Sequence, residues 1–152
     1  MTESSSVGKG PTGGLTRVAV QVVVYSETLS PGEISSWLNL QPTSASEKGV
    51  KVGPRTGTPV TVRRHMWQLS SEPNVETLDF GSHLDWILSK LLTVREQLIR
   101  LRDSGIADCT VIGVVWTSDS SAHLKLSAHQ MEALVSLQLQ LEIEFADYGE
   151  DA

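Results

Sequence analysis

The sequence predicts an α+β domain: a ferredoxin-like βαββαβ-type antiparallel sheet with helices on one face, plus a C-terminal helix and strand. Three observations predict it. Near the start, Val18, Val20, Val22 and Val24 alternate with Arg17, Ala19, Gln21, Val23 and Tyr25, giving a strand with one all-valine face and one mixed face. From Ser82 to Ser104, Leu84, Ile87, Leu88, Leu91, Val94, Leu98 and Leu101 recur at three- and four-residue steps, the signature of one long helix with an apolar side. The elements follow as strand, helix, two strands, long helix, strand, short helix, strand, and the first six match the βαββαβ order.

Each element has its own local reason. Residues 1–15, rich in Ser, Gly, Thr and Pro, read as a disordered tail ahead of a single domain over 16–148, with 149–152 a frayed acidic tail. Gly8, Gly10 and Gly13 match G-x-G-x-x-G but follow a serine run and precede a strand, the wrong context for a dinucleotide fingerprint. After the valine strand, Ser30, Pro31 and Glu33 form a helix start with a capping box, and Leu29 with Ile34 the hydrophobic staple. Ile34, Trp37 and Leu38 are its expected buried side, and Pro42 stops it.

Between Thr43 and Arg64, Gly49, Gly53, Pro54, Gly57 and Pro59 make a loop or a wide-tipped hairpin. Its Lys48, Lys51, Arg55, Arg63 and Arg64 face only Glu47, which suits either a phosphate or acidic partner, or the solvated charges of an edge hairpin. In the strand that follows, Trp67 and Leu69 point to one face and Met66, Gln68 and Ser70 to the other. A linker over 72–81 leads to the long helix, where Ser82 and Asp85 read as a variant capping box. At its far end Gly105 reads as a left-handed stop that lets Ile106 fold back on Leu101. Cys109 to Thr117 is an almost wholly apolar central strand, in which Gly113 marks a bulge or the close approach of a helix. Ser127 and Gln130 form another capping box, with Leu126 and Met131 as staple and Met131, Leu134 and Val135 as the working face of the helix. Leu139, Leu141, Ile143 and Phe145 then alternate with Gln138, Gln140, Glu142 and Glu144 in a last strand.

The stretches LSPGEISSWLNLQPT, GV followed by WQLSSE, HLDWILSKL, a strand ending WTS, and LSAHQMEALVSLQLQLEIEF, in that order, resemble the bacterial family catalogued as domain of unknown function 4279. The resemblance covers Thr16 to Tyr148 and rests on caps and core positions, so it implies a fold rather than an activity. It brings no catalytic residues to carry over. A glycine is often found between the family's last helix and strand; Leu137 and Gln138 stand there in this chain, which implies a less sharp turn.

Composition narrows the function. A formal net charge of -6 argues against general nucleic-acid binding, which depends on phosphate neutralisation. No apolar run approaches the roughly 20 residues that cross a bilayer, and the opening MTESSSVGKG lacks the apolar core of a signal peptide. A soluble, cytoplasmic protein is expected. Cys109, the sole cysteine, excludes an internal disulfide and reads as a small buried residue rather than a reactive thiol. His65, His83, His123 and His129 show no metal-ligand spacing, and His83 reads as part of a surface helix start; no cofactor or metal is expected. No nucleophile elbow, S-x-x-K pair or phosphate-binding loop is present.

Two surfaces are candidates. On the long helix, Trp86 falls away from the apolar side with Thr93 and Arg100, as an interface anchor or as a ring covered by the 72–81 linker. Arg95 falls inside the apolar arc, in a buried ion pair or snorkelling toward the sheet edge. On the mixed sheet face, Gln21, Tyr25, Gln68, Trp116, Gln140, Glu142 and Glu144 suit a polar ligand or basic protein partner, an ordinary wet face, or a dimer contact. The expected function is a non-enzymatic binding or protein-interaction module, the immunity type included, whose partner is another protein or a second copy. Its candidate binding residues are Trp86, Arg100, Tyr25, Trp116, Glu142, Glu144, Arg63 and Arg64. The alternative is a small-molecule sensor or enzyme using the open face or the basic 48–64 loop.

Overall fold

The computed structural model of the protein describes residues 14–52, 57–118 and 123–147. The Gly8, Gly10 and Gly13 match, Arg55, and nearly all of both expected tails lie outside those residues. Along the chain run β1 (Leu15–Ser26), α1 (Pro31–Leu38), β2 (Ser44–Ser46), β3 (Gly49–Val52), β4 (Pro59–Val62), β5 (His65–Ser70), α2 (Phe80–Thr93), α3 (Arg95–Asp103), β6 (Asp108–Thr117), α4 (Ala128–Leu137) and β7 (Leu141–Asp147).

Five strands form the main sheet in the order β2-β5-β1-β6-β7, and β3 and β4 form a separate hairpin. The β1–β5, β1–β6 and β2–β5 pairs are antiparallel, whereas β6–β7 is parallel. The fold is therefore mixed α+β, with the stretch between β2 and β5 folded as its own two-stranded unit.

Register explains the layers. Val22 lies opposite Leu69 on one side and Val111 on the other, while Val24 lies opposite Trp67 and Val20 opposite Gly113. These residues point to one face, and the valines among them join Leu84, Ile87, Leu91, Leu98, Leu101 and Leu137 of the helices in a single core. Ala19 and Val23, on the other face of β1, are buried too but stand outside that cluster. Gly113 has no side chain because Phe80 occupies the space: a Cβ there would lie 2.6 Å from the Phe80 ring. The close approach, rather than a bulge, accounts for this glycine.

The start of α1 matches its sequence signal, with both halves of the Ser30–Glu33 capping box formed. Trp37 departs from expectation. It is 38% exposed, and its indole donates to the Gln97 carbonyl at 3.0 Å, which turns the ring outward to tie α1 to α3.

The long helix is two helices. Its cap is Asp79, whose carboxylate accepts from the Ser82 amide at 3.0 Å and the Ser82 hydroxyl at 2.7 Å, so Ser82 lies inside the first turn. The break falls at Val94, with φ -123° and ψ 29°. There the Thr93 hydroxyl donates to the Lys90 carbonyl, the usual acceptor of the Val94 amide, and that amide turns to Leu91 instead. Gly105 is left-handed, at φ 77°, as its position after the helix implies.

In α4 the Ser127–Gln130 box forms, but the buried face is Gln130, Ala133, Leu134 and Leu137. Met131 and Val135, expected inside, are exposed. The Gln130 side chain rotates the helix: its Nε2 donates to Asp85 Oδ1 at 2.8 Å and to the Gly81 carbonyl at 3.2 Å, fastening α4 to α2. Gln138 takes the left-handed conformation itself, at φ 57°, so the chain turns there as it would at a glycine.

Candidate functional site: the outer face of the sheet

The mixed face of β1 brings residues of three neighbouring strands together. Arg17 lies beside Trp116 in the β1–β6 register, with its guanidinium 4.2 Å from the indole centroid. Arg17 also grips Glu72 through two hydrogen bonds, one of them 2.7 Å from Nη2 to Oε1. The bonds from Arg17 hold the Glu72 carboxyl below its ordinary value. At the other end of the face, Tyr25 lies opposite Asp108. Arg64 stacks 4.3 Å over the Tyr25 ring and reaches Asp108 at 3.3 Å. Each end of the face thus carries an arginine fixed between an aromatic ring and a carboxylate.

Between the ends, Gln68 donates to Gln21 at 2.8 Å, and Gln140 donates to Glu142 at 3.2 Å. Glu142 and Glu144 project from β7 and are exposed. The register therefore places Tyr25, Trp116, Glu142 and Glu144 on one surface, together with Arg64.

Two clefts flank Asp108. One, of about 320 Å³, is bounded by Tyr25, Glu27, Arg64, Ile106 and Asp108. The other, of about 410 Å³, is bounded by Arg102, Asp108, Cys109, Thr110, Gln138 and Gln140. Burial pushes the Cys109 thiol up to about 12, so it is protonated at neutral pH and a poor nucleophile.

The remaining candidates lie elsewhere. Trp86 is half-buried against the core, with the Lys90 ammonium 5.3 Å from its ring centroid. Arg100 is exposed on α3, 3.6 Å from Glu96. The helix break at Val94 separates these two, and both belong to the helical layer. Arg95 is exposed and donates to the carbonyl and hydroxyl of Ser136. Arg63 is exposed in the step between β4 and β5. Of the described basic residues of the 48–64 stretch, the Lys48 ammonium donates to the Glu27 carbonyl and Arg64 turns to Asp108 of the main sheet.

One polar cluster escaped the sequence reading. His83 is buried, with Nδ1 2.6 Å from Ser71 Oγ and Nε2 2.7 Å from the Thr77 carbonyl. Its position one turn before Ile87, on the apolar side of the helix, was the available signal. The surface role assigned to it gives way to this one. Asp108, the carboxylate that orients Arg64, had no sequence signal because its partner lies 44 residues away.

Among the described residues no group of three or more His, Cys, Asp or Glu side chains is arranged to hold a metal ion. No described helix is long and apolar enough to cross a membrane. The family model described as Domain of unknown function (DUF4279) matches residues 16–148, most of the chain. Neither the curated proteins nor the solved structures gave a match.

Proposed function

We propose that this chain, which belongs to the DUF4279 family, is a non-enzymatic protein-interaction module that binds through the outer face of its sheet. The supporting observation is the pair of arginines held at opposite ends of that face, Arg17 over Trp116 and Arg64 over Tyr25. A guanidinium already held against a ring and a carboxylate loses little freedom when a partner arrives, and Arg, Trp and Tyr are the residue types that dominate interface energetics. Glu142 and Glu144 add an acidic margin suited to a basic partner. An immunity-type role, neutralising a partner by covering its surface, fits this reading, as does a bacterial, cytoplasmic setting. The ferredoxin-like assignment goes with it, supported by the antiparallel run β6-β1-β5-β2.

Affinity recovery of the tagged full chain from its native cells, followed by direct titration of the recovered protein, tests the proposal. Joint replacement Tyr25→Ala and Trp116→Ala weakens that complex at least about tenfold while the fold persists, since hot-spot truncations cost about 2 kcal/mol or more. A complex indifferent to both substitutions removes the outer face from the function.

The alternative, a small-molecule sensor, draws its support from the two polar clefts beside Asp108. A ligand at 100 times its Kd adds about 2.7 kcal/mol of stability, so a thermal-shift screen against metabolites and nucleotides decides it. A shift abolished by Arg64→Ala or Arg102→Ala favours the sensor over the interaction module.

A further inference from the structure

The last strand has a free side. The Val111 amide donates to the Gln140 carbonyl, and β6 and β7 run parallel with Val111 beside Leu141. In a parallel ladder that phase assigns the backbone groups of Glu142 and Glu144 to β6 and turns those of Leu141, Ile143 and Phe145 away from it. Among the described residues no strand pairs with this outward row, because β7 is the end of the sheet.

The side chains along the same edge have opposite characters on its two sides. Toward the outer face stand Glu142 and Glu144, both exposed, and neither is in an ion pair among the described residues. Toward the helices stands Phe145, 60% exposed.

We propose that the free edge of β7 receives an extended segment of a partner protein, adding a sixth strand in which cationic residues facing Glu142 and Glu144 alternate with apolar residues packing on Phe145. Main-chain bonds to Leu141, Ile143 and Phe145 give the affinity, and the alternation gives the specificity. Charge selects this occupant over a second copy of the chain. Full-length antiparallel pairing of two β7 strands sets Glu144 opposite its own counterpart, and the register centred on Ile143 sets Glu142 opposite Glu144. Like charges directly opposite one another destabilise a strand pair. The sequence also stays acidic beyond the strand, at Glu150 and Asp151. This inference rests on the chain being an interaction module; it shares Glu142 and Glu144 with the outer face and adds to them the outward backbone row of β7.

The test uses the full chain with two short synthetic peptides, one alternating lysine with valine and one alternating glutamate with valine. The lysine peptide binds and slows hydrogen exchange at the amides of Leu141, Ile143 and Phe145, with little change at Glu142 and Glu144, which are already bonded to β6. The glutamate peptide does not bind. The double variant Glu142→Lys with Glu144→Lys reverses this preference by about tenfold or more. Phe145→Pro removes one outward amide at an edge position where proline is tolerated, and it abolishes binding; where that variant does not fold, the charge reversal carries the test. Protection confined to the amides of Leu141, Ile143 and Phe145 reports on the edge, and loss of the recovered partner on joint replacement of Tyr25 and Trp116 reports on the outer face, so failure at the one and failure at the other are told apart. The proposal is overturned if the lysine peptide does not bind, if charge reversal has no effect, or if protection falls elsewhere. A dimer whose β7 amides are protected without peptide overturns it as well.

Discussion

Ser71 Oγ and His83 Nδ1 lie 2.6 Å apart in the core, and neither side chain reaches solvent to any useful extent. The Thr77 carbonyl can only accept, so it takes the proton of His83 Nε2; in the neutral tautomer this fixes, Nδ1 accepts the serine hydroxyl proton. Ser71 Oγ in turn accepts the Val20 amide at 2.9 Å. A serine and histidine so arranged resemble a nucleophile and its base, yet the third partner is a carbonyl and the serine is closed to any substrate. The pair is a strut between β1, the segment after β5, and α2. Ser71→Ala leaves the Val20 amide and the His83 ring nitrogen without partners, and costs about 2–3 kcal/mol in chemical denaturation. Nitrogen shifts of His83 that show protonated Nε2 and bare Nδ1 confirm the direction of the bond.

Gly113→Ala forces a methyl to within 2.6 and 2.9 Å of two Phe80 ring atoms, in a ring that is itself buried. Overpacking of this kind costs about 1–3 kcal/mol. Phe80→Leu carries its own loss, but in the double variant the clash is gone, so the two penalties add to less than their sum. Strict additivity in a double-mutant cycle contradicts the contact.

Much of this fold was legible because it is written in short-range chemistry. The Ser30 and Ser127 capping boxes each lie within four residues, and the Val18–Val24 alternation fixes a face from a single strand. The outer-face set was legible for the same reason, since parity along a strand decides which side a residue takes. What stayed hidden was decided by partners distant in sequence. Arg64 meets Asp108, and Gln130 meets Asp85, across 44 and 45 residues. The break at Val94 was hidden differently: apolar residues continue through it in helical phase, while one threonine hydroxyl diverts a backbone bond.

Acid should loosen one end of the outer face. The Glu72 carboxyl titrates below its ordinary value of 4.5 because Arg17 hydrogen-bonds its charged form. With the folded value below the unfolded one, the stabilisation is present above about pH 4.5 and lost as pH falls through the lowered value. The pair is partly solvated, so its worth is at most about 1 kcal/mol and shrinks with salt. Glu72→Gln flattens the stability profile in that acid window and leaves it unchanged near neutrality in slope. An unaltered acid slope rules out the pair as its source.

Gln138 makes the turn from α4 into β7 with φ 57°, a conformation that costs a residue with a Cβ about 1–2 kcal/mol. Glycine pays none of that but gains freedom in the unfolded chain. Gln138→Gly is therefore expected to stabilise the protein by about 0.5–1 kcal/mol, whereas Gln138→Val destabilises it. Paired thermal melts of the two variants, moving in opposite directions, check the assignment.

The start of α2 offers a direct contest between Asp79 and Ser82. If Asp79 is the cap, Asp79→Ala removes the carboxylate that accepts from the Ser82 amide and hydroxyl, leaving that amide only the residue-79 carbonyl at 3.1 Å, and costs about 1 kcal/mol. Loss of a negative charge at the positive end of the helix adds to that cost. Ser82→Ala deletes only the second of two bonds to the same carboxylate and costs a few tenths, about 0.3 kcal/mol, typical of an exposed first-turn change. A cap at Ser82 would reverse the ranking. Asp85, the expected other half of that box, instead accepts from Gln130, so Asp85→Ala loosens α4 rather than the first turn of α2. Hydrogen exchange separates the cases: Asp79→Ala speeds exchange at the Ser82 amide, and Asp85→Ala speeds it along α4.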